Sequence, residues 1–218
     1  MIKTGLILAN GEPPSKTMLV RLRKSAYYFV CADGGANAAA KLGVKPDLII
    51  GDLDSIAPET QRKFGFVTTR RIADQNSTDL EKALSWMVKQ RFKRITVLGA
   101  TGGRLDHFIG NLSALAKFSR KASIVFVDKR GEWMYVGRSF KLDAAVGLTV
   151  SLVPLSRCEG IATHGLKWEL RNETLELGLR ESTSNVVKST PLSIRVRSGS
   201  LLLYAFHSKP EPRNPKLA

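Results

Sequence analysis

Two periods of hydrophobicity alternate along the first part of the chain. Apolar runs at 2–9, 27–32, 48–50, 66–72, 94–98 and 123–127 are short and bounded by turn residues, as strands are. The first ends at Asn10-Gly11, a turn pair. Between the runs lie segments whose apolar residues recur three and four apart. Residues 15–24 place Met18, Leu19 and Leu22 on one side, and 36–42 form an Ala-rich helix stopped by Gly43. Ser77 opens a third helix, with Leu80, Ala83, Leu84, Met87 and Val88 on one face. A fourth, 106–118, turns Phe108, Ile109, Leu112, Leu115 and Ala116 inward. Strand and helix in alternation predict an α/β fold, a mostly parallel sheet covered by helices on both faces.

The pattern changes near residue 130. From there only short strand candidates remain, at 133–136, 148–153, 160–163, 166–170, 191–196 and 201–206, with turns between them and no helical period. Such spacing predicts an all-β sandwich or jelly roll. The expected division is an α/β domain over 1–135, a β-sandwich over 136–210 and a Pro-rich polar tail over 211–218.

Composition adds one unusual quantity. Hydrophobic residues at 43% and charged residues at 24% are ordinary and exclude a disordered chain. Lys and Arg, however, number 34 against 19 Asp and Glu, a net charge of +15 with a pI near 10.1. An excess of this size suits a polyanionic partner, either nucleic acid or a phosphorylated small molecule, or simply solubility. Cys31 and Cys158 are too few for a disulfide framework and too far apart for a structural zinc site, so both read as core residues. The N-terminal apolar run is too short for a signal-peptide core and nothing approaches a membrane span, which predicts a cytoplasmic protein with no membrane partner.

The carboxylates are unevenly placed. Nine of the 19 fall between Asp33 and Asp106, most of them just after a predicted strand, and that edge of a parallel sheet is where ligands bind. Asp33-Gly34-Gly35 follows a buried strand and leads into a helix N-terminus, which offers free N–H groups to an anion. Asp52 and Asp54 stand two apart after the next strand. In an extended chain both point one way, and paired carboxylates repel unless a cation lies between them. Their hard oxygens suit Mg²⁺, which draws further ligands from substrate phosphates. In 74–84, Ser77 or Thr78 caps a helix whose first turn carries Asp79 and Glu81, a placement that the helix dipole alone explains. Between a strand and a helix lie Gly102, Gly103, Arg104, Asp106 and His107. Glycines let backbone approach phosphate, Arg104 grips it with a forked charge, and His107 is either a proton carrier or a structural residue. Neither a P-loop nor a dinucleotide fingerprint is present. These residues suit Mg²⁺-assisted transfer of a phosphate-containing group from a nucleotide, and they leave the acceptor open.

The segments ADGGAN, GDLDS, DQNSTDLEKAL and GATGGRLDHFIGN occur here in the order in which they occur in the thiamine pyrophosphokinase family, which this sequence resembles. GLKWEL at 165–170 and STSN at 182–185 resemble that family's thiamine-binding region. The resemblance implies an α/β catalytic domain followed by a β-sandwich, and conversion of thiamine and ATP to thiamine diphosphate and AMP with Mg²⁺. It implies a homodimer in which thiamine lies between one subunit's catalytic domain and the other's β-domain. Metal ligands would be Asp52, Asp54 and Asp79, with Asp33 adjacent. Gln75 and Asp106 would position substrates, and Gly34, Thr78, Gly102, Gly103, Arg104 and His107 would lie on the nucleotide. Trp168, Thr183, Ser184 and Asn185 would face thiamine. Either Asp33 or Asp106 would take the hydroxyl proton. The family is often acidic near Asn76, so this chain departs from it there.

Two other readings compete. A diphosphokinase for another alcohol, such as a hydroxymethyl-pterin, would share the Asp and Gly loops but lack the GLKW and STSN segments. A nucleic-acid-binding module needs basic residues interleaved with exposed aromatics. Aromatics are only 7%, and the charge is diffuse, with 22 basic and 12 acidic residues in 1–137 and 12 and 7 in 138–218.

Overall fold

In the computed structural model, which describes residues 2–207, six parallel strands frame the first of two units. They are β1 (Thr4–Leu8), β2 (Tyr28–Ala32), β3 (Leu48–Gly51), β4 (Thr68–Arg71), β5 (Arg94–Leu98) and β6 (Ser123–Val127). Their order is β6-β5-β1-β2-β3-β4, every pair parallel. The central strands are apolar throughout because both faces are covered, and Leu6, Ile7, Leu8, Phe29, Val30 and Ile50 are fully buried. The chain builds outward from β1 to β4, then returns to add β5 on the other side of β1. A crevice opens beyond the carboxyl ends of strands where the order reverses.

Five helices join the strands: α1 (Lys16–Ser25), α2 (Gly35–Leu42), α3 (Pro58–Lys63), α4 (Asp79–Lys89) and α5 (Leu105–Phe118). Ser15 caps α1 through its hydroxyl, and α2 ends on Gly43 at φ 72°, a conformation that glycine adopts without strain. The sequence gave no sign of α3, which is six residues long and too short to display a period. Ile109 was expected inside but is exposed: α5 is covered only over its second half, through Leu112, Leu115, Ala116 and Phe118. All four residues of the edge strand β4 are exposed, and Val88 on α4 is only half-buried.

The second unit contains strands alone among the described residues. These are β7 (Gly131–Val136), β8 (Ser139–Leu142), β9 (Thr149–Pro154), β10 (Cys158–His164), β11 (Arg171–Leu175), β12 (Ser182–Val186), β13 (Leu192–Arg195) and β14 (Leu201–Phe206). They form antiparallel sets in the orders β12-β9-β14-β7 and β11-β10-β13-β8. The division falls after Lys129, so 130–135, expected with the first unit, belong to the second. The cause is the β7–β14 ladder, which runs unbroken from Val136 opposite Leu201 to Gly131 opposite Phe206. Residues 166–170, expected as a strand, make only a single bridge between Leu166 and Val187. The polar β11 and β12 carry pairing that hydrophobicity did not announce. The expected tail, 211–218, lies outside the described residues.

Candidate active site

At the carboxyl ends of β1, β2, β3 and β5 lies a cleft of about 590 Å³. The turn after β1 meets the turn after β5, and the Gly11 N–H donates to Gly99 O at 2.8 Å. A side chain on Gly11 would strike the Gly99 and Thr101 carbonyls, so only glycine permits this approach.

Asp33 ends β2 with 2% of its surface exposed and its N–H bonded to Ile50 O at 2.8 Å. Its φ of 41° is left-handed, which costs a non-glycine residue about 1–3 kcal/mol. Burial pushes its carboxyl pKa up, and the Asp79 and Asp52 charges add to that rise. Asp52 and Asp54 follow β3. The sequence pattern brought them together through an extended chain. Here Leu53 between them is left-handed at φ 70°, and that turn sets their approach. Asp33, Asp52 and Asp54 each offer a carboxylate oxygen within 4.8 Å of the others. The Asp33 Oδ1 and Asp52 Oδ1 atoms are buried and find no hydrogen-bond donor among the described residues. Three converging carboxylates with orphaned oxygens fit a hard divalent cation, and Mg²⁺ accepts such a donor set.

Asp79, expected as the third ligand, lines the same cleft and holds a lysine through one of its oxygens. Its Oδ1 accepts from Lys82 Nζ at 2.9 Å, and the same ammonium stands 3.7 Å from Asp52 Oδ2. Lys82 is 4% exposed, unusual for a lysine. Burial alone would lower its pKa, but the hydrogen bond and charge of Asp79, with Asp52 beside it, raise it, so it stays protonated. Burial likewise works to raise the Asp52 pKa, but the Asp54 N–H and the Lys82 charge outweigh it and hold the carboxyl below its ordinary value. Four acids thus share this corner of the cleft: three whose oxygens converge within 4.8 Å, and Asp79, one of whose oxygens holds a buried lysine.

The neighbouring loop is organised by Asp74, whose carboxylate accepts from the Asn76 N–H at 2.9 Å and the Ser77 hydroxyl at 2.6 Å. Those bonds hold its pKa low. Ser77 therefore does not cap α4. Thr78 does, in a capping box: its hydroxyl accepts from the Glu81 N–H and its own N–H donates to Glu81 Oε2, both at 3.2 Å. Gln75 lines the cleft, exposed. On the other wall Gly102 and Gly103 are both left-handed, at φ 74° and 67°. Arg104 donates from Nε to Asp106 Oδ1 at 3.2 Å and from a terminal nitrogen to Oδ2 at 2.5 Å. This fork pulls the Asp106 pKa to about 2, chiefly through the hydrogen bond. His107 lines the same cleft, exposed in the first turn of α5, whereas Gly34 stands behind it against Asn10.

In the second unit Trp168 is 56% exposed, and Lys167 Nζ lies 4.5 Å from its ring centre. Asn185 is buried. Its Oδ1 accepts from the Trp168 N–H at 3.2 Å and the Val186 N–H at 2.8 Å, while Nδ2 donates to Trp168 O at 2.7 Å. Expected as a ligand contact, Asn185 instead fixes the backbone that presents Trp168. Thr183 and Ser184 are exposed beside it at a β12 bulge, with Ser184 left-handed at φ 58°.

The family model for the thiamin pyrophosphokinase catalytic domain matches residues 19–127, and that for the thiamin pyrophosphokinase vitamin B1 binding domain matches 139–201. The chain belongs to the thiamine pyrophosphokinase family. Among its relatives, thiamin pyrophosphokinase 1 of Caenorhabditis elegans is 33% identical over 216 residues, covering 91% of this chain and 87% of its own. Thiamine pyrophosphokinase 1 of rice is 31% identical over 209 residues, covering 80% and 76%. The fold agrees with the crystal structure of thiamine pyrophosphokinase from Bacillus subtilis at a TM-score of 0.80, with 24% identity and coverage of 94% of this chain and 99% of that one. It agrees with the Candida albicans thiamin pyrophosphokinase at 0.84, with 19% identity and coverage of 94% and 89%.

Within this member of the family, Lys82 is the residue that sequence reasoning passed over. It lies three after Asp79, one helical turn on, and so shares a face with it. That spacing was the available signal, but a lysine on a helix is ordinarily solvated.

Proposed function

We propose that the cleft of the first unit binds ATP with Mg²⁺ and passes the diphosphate group to the hydroxyl of thiamine, giving thiamine diphosphate and AMP. The observation that carries this reading is the Asp33, Asp52 and Asp54 trio, with two orphaned oxygens, at a cleft that Asp33 and Asp52 line together with Lys82, Gly102 and Arg104. The match to the vitamin B1 binding domain over 139–201 favours thiamine over a hydroxymethyl-pterin as acceptor.

In this reaction the thiamine hydroxyl oxygen bonds to the β-phosphorus and loses its proton to a cleft carboxylate or to solvent, the bond from that phosphorus to the α-phosphate oxygen breaks, and AMP departs with the electron pair. Asp33, Asp52 and Asp54 would hold the metal. Mg²⁺, when bound, offsets charge on the phosphates and on the departing oxygen. The protein's own work is placement. Gly102 and Gly103 free the backbone to lie against phosphate, and Arg104 adds a charge that Asp106 orients. With its carboxyl held near 2, Asp106 is a weak base, and its part is to fix Arg104. Lys82 keeps Asp79 and Asp52 from repelling the phosphates and each other. Trp168 offers one ring face to the cationic thiazolium, the other being taken by Lys167.

The same reading includes a homodimer and a cytoplasmic location. No helix of the described residues is long and apolar enough to cross a membrane.

The direct assay supplies ATP, Mg²⁺ and thiamine and quantifies products. Equal amounts of AMP and thiamine diphosphate are expected. AMP released at the same rate without thiamine, or transfer to a hydroxymethyl-pterin at equal rate, contradicts the assignment.

A further inference from the structure

A second pocket, of about 370 Å³, adjoins the transfer cleft at Ser77 and Lys82 and is lined by residues of α4, the end of α5 and β4. Its volume falls within the range of small-molecule sites, about 300–1,000 Å³. Trp86, half-buried and packed against Tyr28 with ring centres 5.4 Å apart, and Phe118 give it aromatic surface. The charge around it is lopsided. Arg70, Lys82, Lys89, Lys117 and Lys121 face it, against Asp74 and Glu81. Two of the cations are already matched: Lys82 by Asp79, and Lys117 by Glu81 at 2.8 Å. Asp74 is occupied by Ser77 and Asn76. Arg70 of β4, Lys89 of α4 and Lys121 of the turn after α5 have no acidic partner within ion-pair distance among the described residues.

Unmatched cations on three sides of an aromatic-lined pocket form a receptor for an anion with a flat ring. An indole takes a ring by stacking or edge-to-face contact, and lysine and arginine take phosphate oxygens by charge-assisted hydrogen bonds. A merely solvated basic surface needs no aromatic wall. We propose that this pocket is a second ligand site, beside the transfer cleft, for a phosphorylated molecule bearing an aromatic ring, of the nucleoside monophosphate class. The pocket and the cleft share Ser77 and Lys82, so its occupant rests against the helix whose first turn carries Asp79.

The test is titration of the full chain with AMP, followed by amide and indole resonances in a two-dimensional NMR spectrum. The Trp86 indole and the amides of Lys89, Lys117 and Lys121 should shift as one saturable set, distinct in midpoint from a set around Gly102 and Arg104. The double variant Lys89→Glu/Lys121→Glu changes two exposed positions outside the cleft. It should weaken the first set by at least about tenfold while leaving the second set and turnover intact. A Trp86→Leu variant should weaken AMP more than inorganic phosphate. The proposal is overturned if the Trp86 region stays unmoved at AMP concentrations that saturate the cleft. It is equally overturned if the charge-reversal variant responds like the parent, or if inorganic phosphate reproduces the shifts at the same midpoint. Because the cleft resonances are read in the same spectra, loss of nucleotide binding there is scored separately.

Discussion

Lys82 decides how four carboxylates share one small volume. Its ammonium fixes Asp79 and leans on Asp52, while one buried oxygen each of Asp33 and Asp52 is left without a donor among the described residues. Removing the charge while keeping bulk leaves Asp79 and Asp52 repelling. Lys82→Met should therefore cut turnover by about a hundredfold or more and lower the melting temperature, the stability lost being less than the about 3–5 kcal/mol of a fully buried pair because Asp79 is partly exposed. The stability loss should shrink when Mg²⁺ is added, since a second cation then offsets the acids. A melting temperature that ignores both the substitution and the metal would show that the pair is inert. Asp106 makes a second prediction at this scale. Its carboxyl is lowered in the folded state from 3.8 to about 2, so the stability it lends is complete above its ordinary range and is lost as pH falls through about 2. Asp106→Asn should differ from the parent in melting temperature by a constant amount near neutrality, and the difference should vanish toward pH 2. A difference that grows on acidification contradicts the Arg104 fork. The acids after the strands and the Gly-Gly-Arg loop were legible because their residue types are rare in those positions. Lys82 was not, because only tertiary burial distinguishes it from a solvated lysine, and the left-handed Leu53 was not, because an apolar residue carries no signal for that conformation.

Elements carry the site through their ends. Helix α4 presents Asp79 at its first position, and the Thr78–Glu81 capping box fixes that end. Thr78→Ala should cost about 1 kcal/mol of stability to denaturant and raise the KM for ATP more than it lowers kcat at saturation. Unchanged stability contradicts the cap. In the second unit, Asn185 at the β12 bulge ties down the backbone of Trp168. Asn185→Ala and Trp168→Ala should each raise the KM for thiamine with that for ATP little changed, and only Asn185→Ala should also lower the melting temperature. Equal loss for both substrates would mark the segment as structural. The long elements were readable from periodicity, since a buried strand or a two-faced helix repeats its signal. Residues 166–170 misled because Leu166 and Leu170 are buried there with only an isolated bridge in place of a ladder, and β11 and β12 escaped notice because their pairing is made by polar residues.

At the scale of the molecule, the positive balance of +15 proved less informative than where the negative charge lies. Several of the acids between Asp33 and Asp106 converge on one cleft, while Asp47 is spent on Arg23 and the Phe29 N–H as a structural tie. The positive surroundings favour nucleotide approach in a salt-dependent way. Family membership and the two-unit plan were both legible, since six segments in order span most of the chain. The edge of the second unit was not, because one ladder, β7 with β14, reassigns residues that lie next to the first unit in sequence. The central claim is that Asp33, Asp52 and Asp54 hold the metal through which diphosphate transfer depends on this cleft. Asp54 is exposed and tests it without endangering the core. The decisive measurement is the rate of thiamine diphosphate formation by Asp54→Ala at saturating ATP, thiamine and Mg²⁺, with an unaltered melting temperature as control. The account predicts a loss of at least about a thousandfold. Turnover within a few-fold of the parent would contradict it.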